Sequence, residues 1–254
     1  MPLYVVRVLM NMYTGQQVRV SWNGIFSDDF GVTNGVKQWG ILCPILFCVY
    51  VDVLLLSLRD AGAGCFIGEF FVGALAYADD VVLLAPTAHA MRRLLSICDE
   101  YGSEYSMSFN ANKSKCLIFQ ARHSYRIIYD RIRPFVIGGN KIELVTKWSH
   151  LGHVINTQLT DDDDIAARKS QLTGQINGLI CNLSKLDPMT RNRLFQVYCT
   201  SFYECQIWDL SNTKPVEDFC TTWRKGMRRV WSLPANTKSD AVYLVAGGIP
   251  KLDE

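Results

Sequence analysis

The spacing of apolar residues changes period along this chain, and each change predicts an element. LYVVRVLMNMY puts Leu3, Val6, Leu9, Met10 and Tyr13 on one helical face, and Gly15 stops it. QQVRVSW alternates as a strand, Asn23-Gly24 supplies a turn, and GIFSDDFGV returns as its hairpin partner. An apolar run over 41–58 follows, with Pro44 where the first turn of a helix begins. Gly62, Gly64 and Gly68 mark turns before two short apolar strands, Ala74 to Tyr77 and Val81 to Leu84. APTAHAMRRLLSICDEYGSEYSM is amphipathic, with Met91, Leu94, Leu95, Cys98 and either Tyr101 or Tyr105 inward. CLIFQA, introduced by NANKSK, is a strand, and 133–156 is a further β region turning at Gly138-Gly139-Asn140.

The character changes near residue 157, with the boundary between 155 and 165. From LTDDDDIAARKSQ onward the period is helical. Thr160 is a candidate N-cap, and Asp161 to Asp164 suit the positive end of a helix without any metal ion. Ile165, Leu172, Ile176, Leu179 and Leu183 form its inner stripe until Pro188. A second helix is expected through RNRLFQVYCTSFYECQIWDL and a third through VEDFCTTWRKGMRRVWSL, ending at Pro234. No internal repeat is visible.

Composition narrows the class. With 49% apolar and 20% charged residues in 254, the chain is globular rather than disordered. A net charge of +2 gives no global field for nucleic acid, so any basic surface is local. One candidate is Arg224, Lys225, Arg228 and Arg229, spaced helically opposite Phe219, Trp223, Met227 and Val230; a solvated polar face gives the same pattern. Nine scattered cysteines without a CxxC pair fit reduced thiols in an intracellular protein. The run over 41–58 is nearly long enough to span a bilayer, but Pro44 and Asp52 favour a buried core helix and no membrane partner.

The candidate chemistry lies in ALAYADDVVLLA, 74–85. Two adjacent aspartates, Asp79 and Asp80, sit between paired strands, and hard oxygen donors clustered this way suit Mg²⁺, with Mn²⁺ as a substitute. An exposed Asp-Asp turn of no chemical consequence has the same sequence. Order and spacing separate the two readings. GVKQWGILCPILF precedes YADD, NKSKCLIF follows it, and WSHLGHVI comes last. In that arrangement, over about two-thirds of the chain, the sequence resembles the palm of reverse transcriptases from non-LTR, LINE-like retrotransposons.

The resemblance implies an α+β fold: a partial polymerase palm, an antiparallel sheet with packed helices, over 1–156, then an all-α thumb-like region over 157–254. It implies RNA-templated DNA synthesis by two-metal nucleotidyl transfer, with RNA template, DNA primer and deoxynucleoside triphosphates as partners. Asp79 resembles the metal-binding aspartate and Asp80 its less indispensable neighbour; Tyr77 and Ala78 resemble residues beside the primer end. Gln38 and Gly40 resemble positions near the incoming nucleotide and template. Lys113 or Lys115 resembles the lysine by the triphosphate, though both also read as a solvated loop. Leu151, Gly152 and His153 resemble the primer grip, whereas His150 and His153 make a poor zinc pair. A nuclear site of action is expected from the family, without a signal in the sequence.

Departures from the family pattern set a further expectation. The family brings another aspartate on a strand upstream of the glycine loop, but the 34 residues before Gly35 carry only Asp28 and Asp29, in a hairpin. Trp39 stands for a glycine and Cys43 for a serine in that loop. The expectation is an N-terminally truncated, decayed copy without polymerase activity on its own. The alternatives are a non-catalytic nucleic-acid-binding remnant and a purely structural relic.

Overall fold

The computed structural model describes residues 2–32, 40–119, 132–200, 205–210 and 213–247. The chain forms two compact units, Met1–Ser114 with Pro134–Ile142, and Lys115–Arg133 with Glu143–Glu254. Helices and short strands are mixed up to Asn156, and only helical elements follow among the described residues, an α+β composition.

In the first unit, helix α1 (Leu3–Tyr13) leads into a bent hairpin. There β1 (Gln17–Val18) pairs with β4 (Phe30–Gly31), and β2 (Ser21–Trp22) pairs with β3 (Ile25–Phe26). Asn23 and Gly24, both at positive φ, make the turn that the dipeptide predicts. Helix α1 departs from its expected stripe: Val6, Leu9 and Tyr13 are half-buried, but Leu3 and Met10 face solvent.

Helix α2 (Cys43–Asp60) carries Pro44 in its first turn, where its missing N–H removes no helical bond. Val51, Leu54 and Leu58 are buried, so α2 is a core helix on one side. Its other side exposes Ile45, Val49, Val53 and Leu56 beside Asp52. Among the described residues no helix is long and apolar enough to cross a membrane. A small hairpin, β5 (Phe66–Ile67) with β6 (Phe70–Phe71), precedes the longer one, β7 (Ala74–Tyr77) with β8 (Asp80–Leu83).

Helix α3 (Ala88–Glu104) begins at Thr87, whose hydroxyl accepts the Ala90 N–H. Leu94, Leu95, Cys98 and Tyr101 are its buried face, as the periodicity predicts. The chain then gives β9 (Lys115–Cys116) to the second unit and returns to the first with β10 (Val136–Ile137) and β11 (Asn140–Lys141). The α3 face packs on α2 and β10. Polar bonds lock the contact: Tyr101 donates to the Tyr50 carbonyl and Tyr50 to the Tyr105 carbonyl, each at 2.5 Å. Asp99 accepts the Gly138 N–H at 2.7 Å. Burial, with the Asp99 charge adding, pushes the Cys98 thiol up to about 12, so it acts as a small apolar core residue.

In the second unit β9 pairs parallel with β12 (Glu143–Leu144), and β13 (Lys147–His150) pairs antiparallel with β14 (His153–Asn156). Helices α4 (Asp162–Leu183), α5 (Pro188–Tyr198), α6 (Thr213–Val230) and α7 (Ser239–Ala246) follow, with a short 3-10 turn at Cys205–Ile207. Their shared core holds Ile165, Leu172, Ile176, Leu179, Phe195, Phe219, Trp223, Met227, Val230 and Val242. The predicted stripes of α4 and α6 are therefore its centre.

Three expectations need correcting, and one element was not foreseen. A single antiparallel sheet is not formed: the described strands make seven separate two-stranded ladders, one of them parallel. Asp161, not Thr160, precedes α4, because the buried Asn156 amide donates to both the Thr160 carbonyl and its hydroxyl. The helix expected over 191–210 starts at Pro188, capped by Asp187, and ends at Tyr198. Helix α7, too short and too evenly apolar to show a period, was not expected at all.

Gly226 marks the closest approach in this core. A Cβ there would lie 2.4 Å from Ile176 Cδ1 and 3.1 Å from its Cγ1. Overpacking of this kind costs about 1–3 kcal/mol, against about 1 kcal/mol gained from alanine's helix propensity. Gly226→Ala should therefore lower stability in a urea titration. Adding Ile176→Val, which removes Cδ1, should recover most of that loss; no recovery would place the strain elsewhere.

Candidate functional site

The β7–β8 hairpin closes in the tightest way available. Tyr77 pairs with Asp80, leaving Ala78 and Asp79 as a two-residue loop. Ala78 sits at φ 52° while Asp79 keeps an ordinary φ, the pattern of a type II′ turn whose first central position prefers glycine. The β5–β6 hairpin has the same pattern and does carry glycine there, Gly68 at φ 60°. Behind the tip the hairpin is anchored: Leu84 donates to the Gly73 carbonyl at 2.8 Å, and Cys65 donates to the Leu84 carbonyl at 3.0 Å.

Both carboxylates are exposed, and among the described residues neither has a hydrogen-bond or ion-pair partner. Adjacent negative charges without a counter-charge are a fit donor pair for a hard cation. Mg²⁺ binds through one or two carboxylates and completes its shell with water and substrate phosphates. Among the described residues no group of three or more His, Cys, Asp or Glu side chains is placed to hold a metal. Asp28 and Asp29 are exposed between β3 and β4.

The other expected site residues divide between the two units. Tyr77, at the end of β7, is 66% exposed beside the carboxylates in sequence and register. Gly40 precedes α2, and its carbonyl accepts the Cys43 N–H at 3.0 Å. Gln38 and Trp39 lie outside the described residues. Lys113 ends a tight turn in which its N–H donates to Asn110, and its side chain faces solvent. Lys115 is committed elsewhere: its ammonium lies 2.6 Å from Glu143 and 5.6 Å from the centre of the Trp148 ring. Of the two lysines left open by the sequence, Lys113 is the one with a side chain available to an anion.

Leu151 and Gly152 form the two-residue loop of the β13–β14 hairpin, with His150 and His153 paired across its base. Both loop residues have positive φ, 50° and 97°, as a type I′ turn requires. Leucine is a costly choice for the first of these positions, where the β2–β3 turn uses Asn23 and the β10–β11 turn uses Gly138. Behind this tip stand interactions the sequence reading missed. Asp164, 1% exposed, accepts the Val154 N–H at 2.9 Å and the Trp208 indole N–H at 2.8 Å. Arg168 donates to the Gly152 carbonyl at 2.6 Å. The one sequence signal was the i, i+4 Asp-Arg spacing inside an apparently solvated acidic run.

The basic stripe of α6 is largely used within its own unit. Arg224 bonds the Tyr243 and Thr221 hydroxyls, Arg228 donates twice to the Thr237 carbonyl, and Arg229 donates to Asn177. Arg224 and Arg228 are half-buried in these bonds, while Lys225 and Arg229 stay exposed.

Comparison with known proteins gives the same direction. The family model described as "Reverse transcriptase (RNA-dependent DNA polymerase)" matches residues 4–155. A Pol polyprotein of the type-2 retrotransposable element R2DM from Drosophila melanogaster is 29% identical over 154 residues, 59% of this chain and 14% of that protein. Pol polyproteins of type-1 retrotransposable elements R2 are similar too. The one from Nasonia vitripennis is 27% identical over 62% of this chain and 16% of its own length. The one from Popillia japonica is 34% identical over 48% and 18% respectively. The chain thus spans less than a fifth of each of these relatives.

Two outcomes test the site's local physics. Ala78→Gly should raise the stability of the first unit by about 1 kcal/mol, by relieving a left-handed alanine. No gain in a denaturant titration would show that the turn carries no strain. The second concerns Asp163, whose carboxyl is held below its usual range by the Asn156 amide and then by Lys147. A depressed folded value stabilises the fold above the unfolded pKa, and that contribution is lost as pH falls through the folded one. The Asp163→Asn variant should therefore show a shallower loss of stability below about pH 4 than the parent chain. An unchanged acid limb would contradict this assignment.

Proposed function

The chain belongs to the reverse transcriptase (RNA-dependent DNA polymerase) family, and from that premise we propose that residues 74–83 are the carboxylate hairpin of a polymerase palm. In this reading the palm region is 1–156 and the helical thumb-like region 157–254. The observation that carries it is the pair of exposed carboxylates, Asp79 and Asp80, without partners among the described residues, on a strained two-residue turn within the family match.

Asp79 and Asp80 are the residues that would hold Mg²⁺ or Mn²⁺. When bound, such an ion supplies Lewis-acid activation of a primer 3′-hydroxyl and neutralises charge on leaving pyrophosphate. The remaining roles belong to the chain. Tyr77 and Ala78 border the primer end. Gly40, with Gln38 in the same loop, lies near template and nucleotide. Lys113 offers an exposed ammonium to the triphosphate, and Leu151, Gly152 and His153 grip the primer backbone. RNA template, DNA primer and deoxynucleoside triphosphates are the partners, in the nucleus.

Among the described residues no third carboxylate joins Asp79 and Asp80, and that sets the expectation for activity. Two-metal nucleotidyl transfer would call for more oxygen ligands than Asp79 and Asp80 alone would supply. The residues by themselves should bind a primer–template hybrid without extending it.

The test is primer extension on an RNA template with Mg²⁺ or Mn²⁺, for this chain and Asp79→Ala, alongside hybrid binding across a salt series. The expected result is binding that weakens as salt rises, with no extension by either protein. Extension that vanishes in Asp79→Ala would show a complete metal site and overturn the carboxylate argument. No hybrid binding at low salt would overturn the nucleic-acid reading and leave a structural relic.

A further inference from the structure

A buried carboxylate survives folding only when donors surround it, and where those donors come from shows what the carboxylate fixes. Asp164 lies in the first turn of α4, yet it does not serve its own helix. Its Oδ1 accepts the backbone N–H of Val154, and its Oδ2 accepts the indole N–H of Trp208, with His153 Nδ1 3.3 Å away. Trp208 in turn packs edge-on against Phe219 in the helical core, ring centres 5.4 Å apart. One turn along α4, Arg168 contacts Asp164 Oδ1 at 3.8 Å and donates to the Gly152 carbonyl at 2.6 Å. A leucine in left-handed conformation at 151 is thus held on its C-terminal side by two bonds from α4, tied through Trp208 to the core.

We propose that Asp164 and Arg168 are positioning residues for the Leu151-Gly152-His153 tip, holding its backbone so that Leu151 is presented to the primer strand. This rests on the reading of that tip as a primer grip. Four features favour positioning over generic stabilisation. The tip is the only part of the hairpin that Arg168 bonds among its described hydrogen bonds, apart from Gln171 on its own helix. The residue it restrains in strain, Leu151, is 39% exposed and so gains little from burial. An asparagine would satisfy the turn without strain, so the leucine side chain is kept for something outside the fold. Arg168 is itself mostly covered, at 15% side-chain exposure, and its charge faces Asp164 rather than solvent.

The experiment is a double-mutant cycle on the full chain, reading affinity for an RNA–DNA hybrid duplex at several salt concentrations. It compares Arg168→Ala, Leu151→Asn, their combination, and Arg168→Lys. Amide exchange at Gly152 to Val154 and thermal unfolding are followed in each. Positioning predicts that Arg168→Ala weakens hybrid binding roughly tenfold, with faster exchange at Val154 and an unchanged salt slope. Arg168→Lys should recover part of the affinity. The combined variant should bind no worse than Leu151→Asn alone, because both changes act through one side chain. Additive losses with a salt slope reduced by about one would instead make Arg168 a direct phosphate contact and overturn the proposal. Affinity unchanged in Arg168→Ala, despite faster exchange, would reduce the clamp to a structural role. Failure of the parent chain to bind any hybrid removes the primer-grip reading instead. In that case Val154 exchange still reports whether α4 holds the tip.

Discussion

A two-residue loop between antiparallel strands must turn with the strands' own twist, and for an L-residue that means positive φ at the first loop position. Five described hairpins obey this constraint, with Asn23, Gly68, Ala78, Gly138 and Leu151 at that position. Three of the five use asparagine or glycine, which adopt the conformation at little cost. The other two, Ala78 and Leu151, pay about 1–2 kcal/mol each. Those two turns are the carboxylate hairpin and the proposed grip. Strain at a turn is tolerated where the surroundings over-determine it, and it concentrates where a side chain is needed more than an easy backbone.

How the two turns are over-determined differs. The β7–β8 tip depends on ladder bonds and on the anchoring of Leu84 to Gly73 and Cys65, so its carboxylates project unpartnered from a fixed stem. That arrangement has no value for folding: adjacent like charges repel, and nothing among the described residues offsets them. The β13–β14 tip is held from outside its ladder, by Asp164 and Arg168. Isolating a carboxylate from water costs several kcal/mol unless its lone pairs are filled. The Val154 and Trp208 N–H donors fill lone pairs of Asp164, with Arg168 Nε 3.8 Å away as a nearby cation, and this makes its burial tolerable.

Much of this was legible in the sequence, and the illegible parts share a cause. The α3, α4 and α6 stripes could be read because 3.6-residue periodicity records burial directly; Leu94, Leu172 and Phe219 are all fully buried. The Asn23-Gly24 and Gly138-Gly139 turns could be read because their residues have few other uses. The Asp79-Asp80 tip was readable as an anomaly, apolar strands ending in paired charges. Asp164 was not, because a buried acceptor and a solvated helix-start aspartate look alike until the Val154 and Trp208 donors are located, 10 and 44 positions away. For the same reason Arg224 and Arg228 looked like a cationic face: their acceptors, Tyr243 and the Thr237 carbonyl, lie outside the helix that carries them.

The seven separate ladders follow from strand length. Strands of two to four residues bury too little side-chain surface to recruit a third partner, and the hairpins carrying β7, β10 and β14 pack instead on α2, α3 and α4. Leu75 and Tyr77 on β7 are 53% and 66% exposed, so the longest hairpin of the first unit carries apolar side chains that its present contacts do not cover. A third strand beside this hairpin would pair its backbone edge, cover such residues and bring another side chain toward the turn in a single event. Under the proposed role of Asp79 and Asp80, sheet extension and completion of the carboxylate set are then one geometric problem. A segment that supplied a carboxylate without pairing would leave Leu75 and Tyr77 uncovered, and one that paired without it would add no ligand to the proposed cation site.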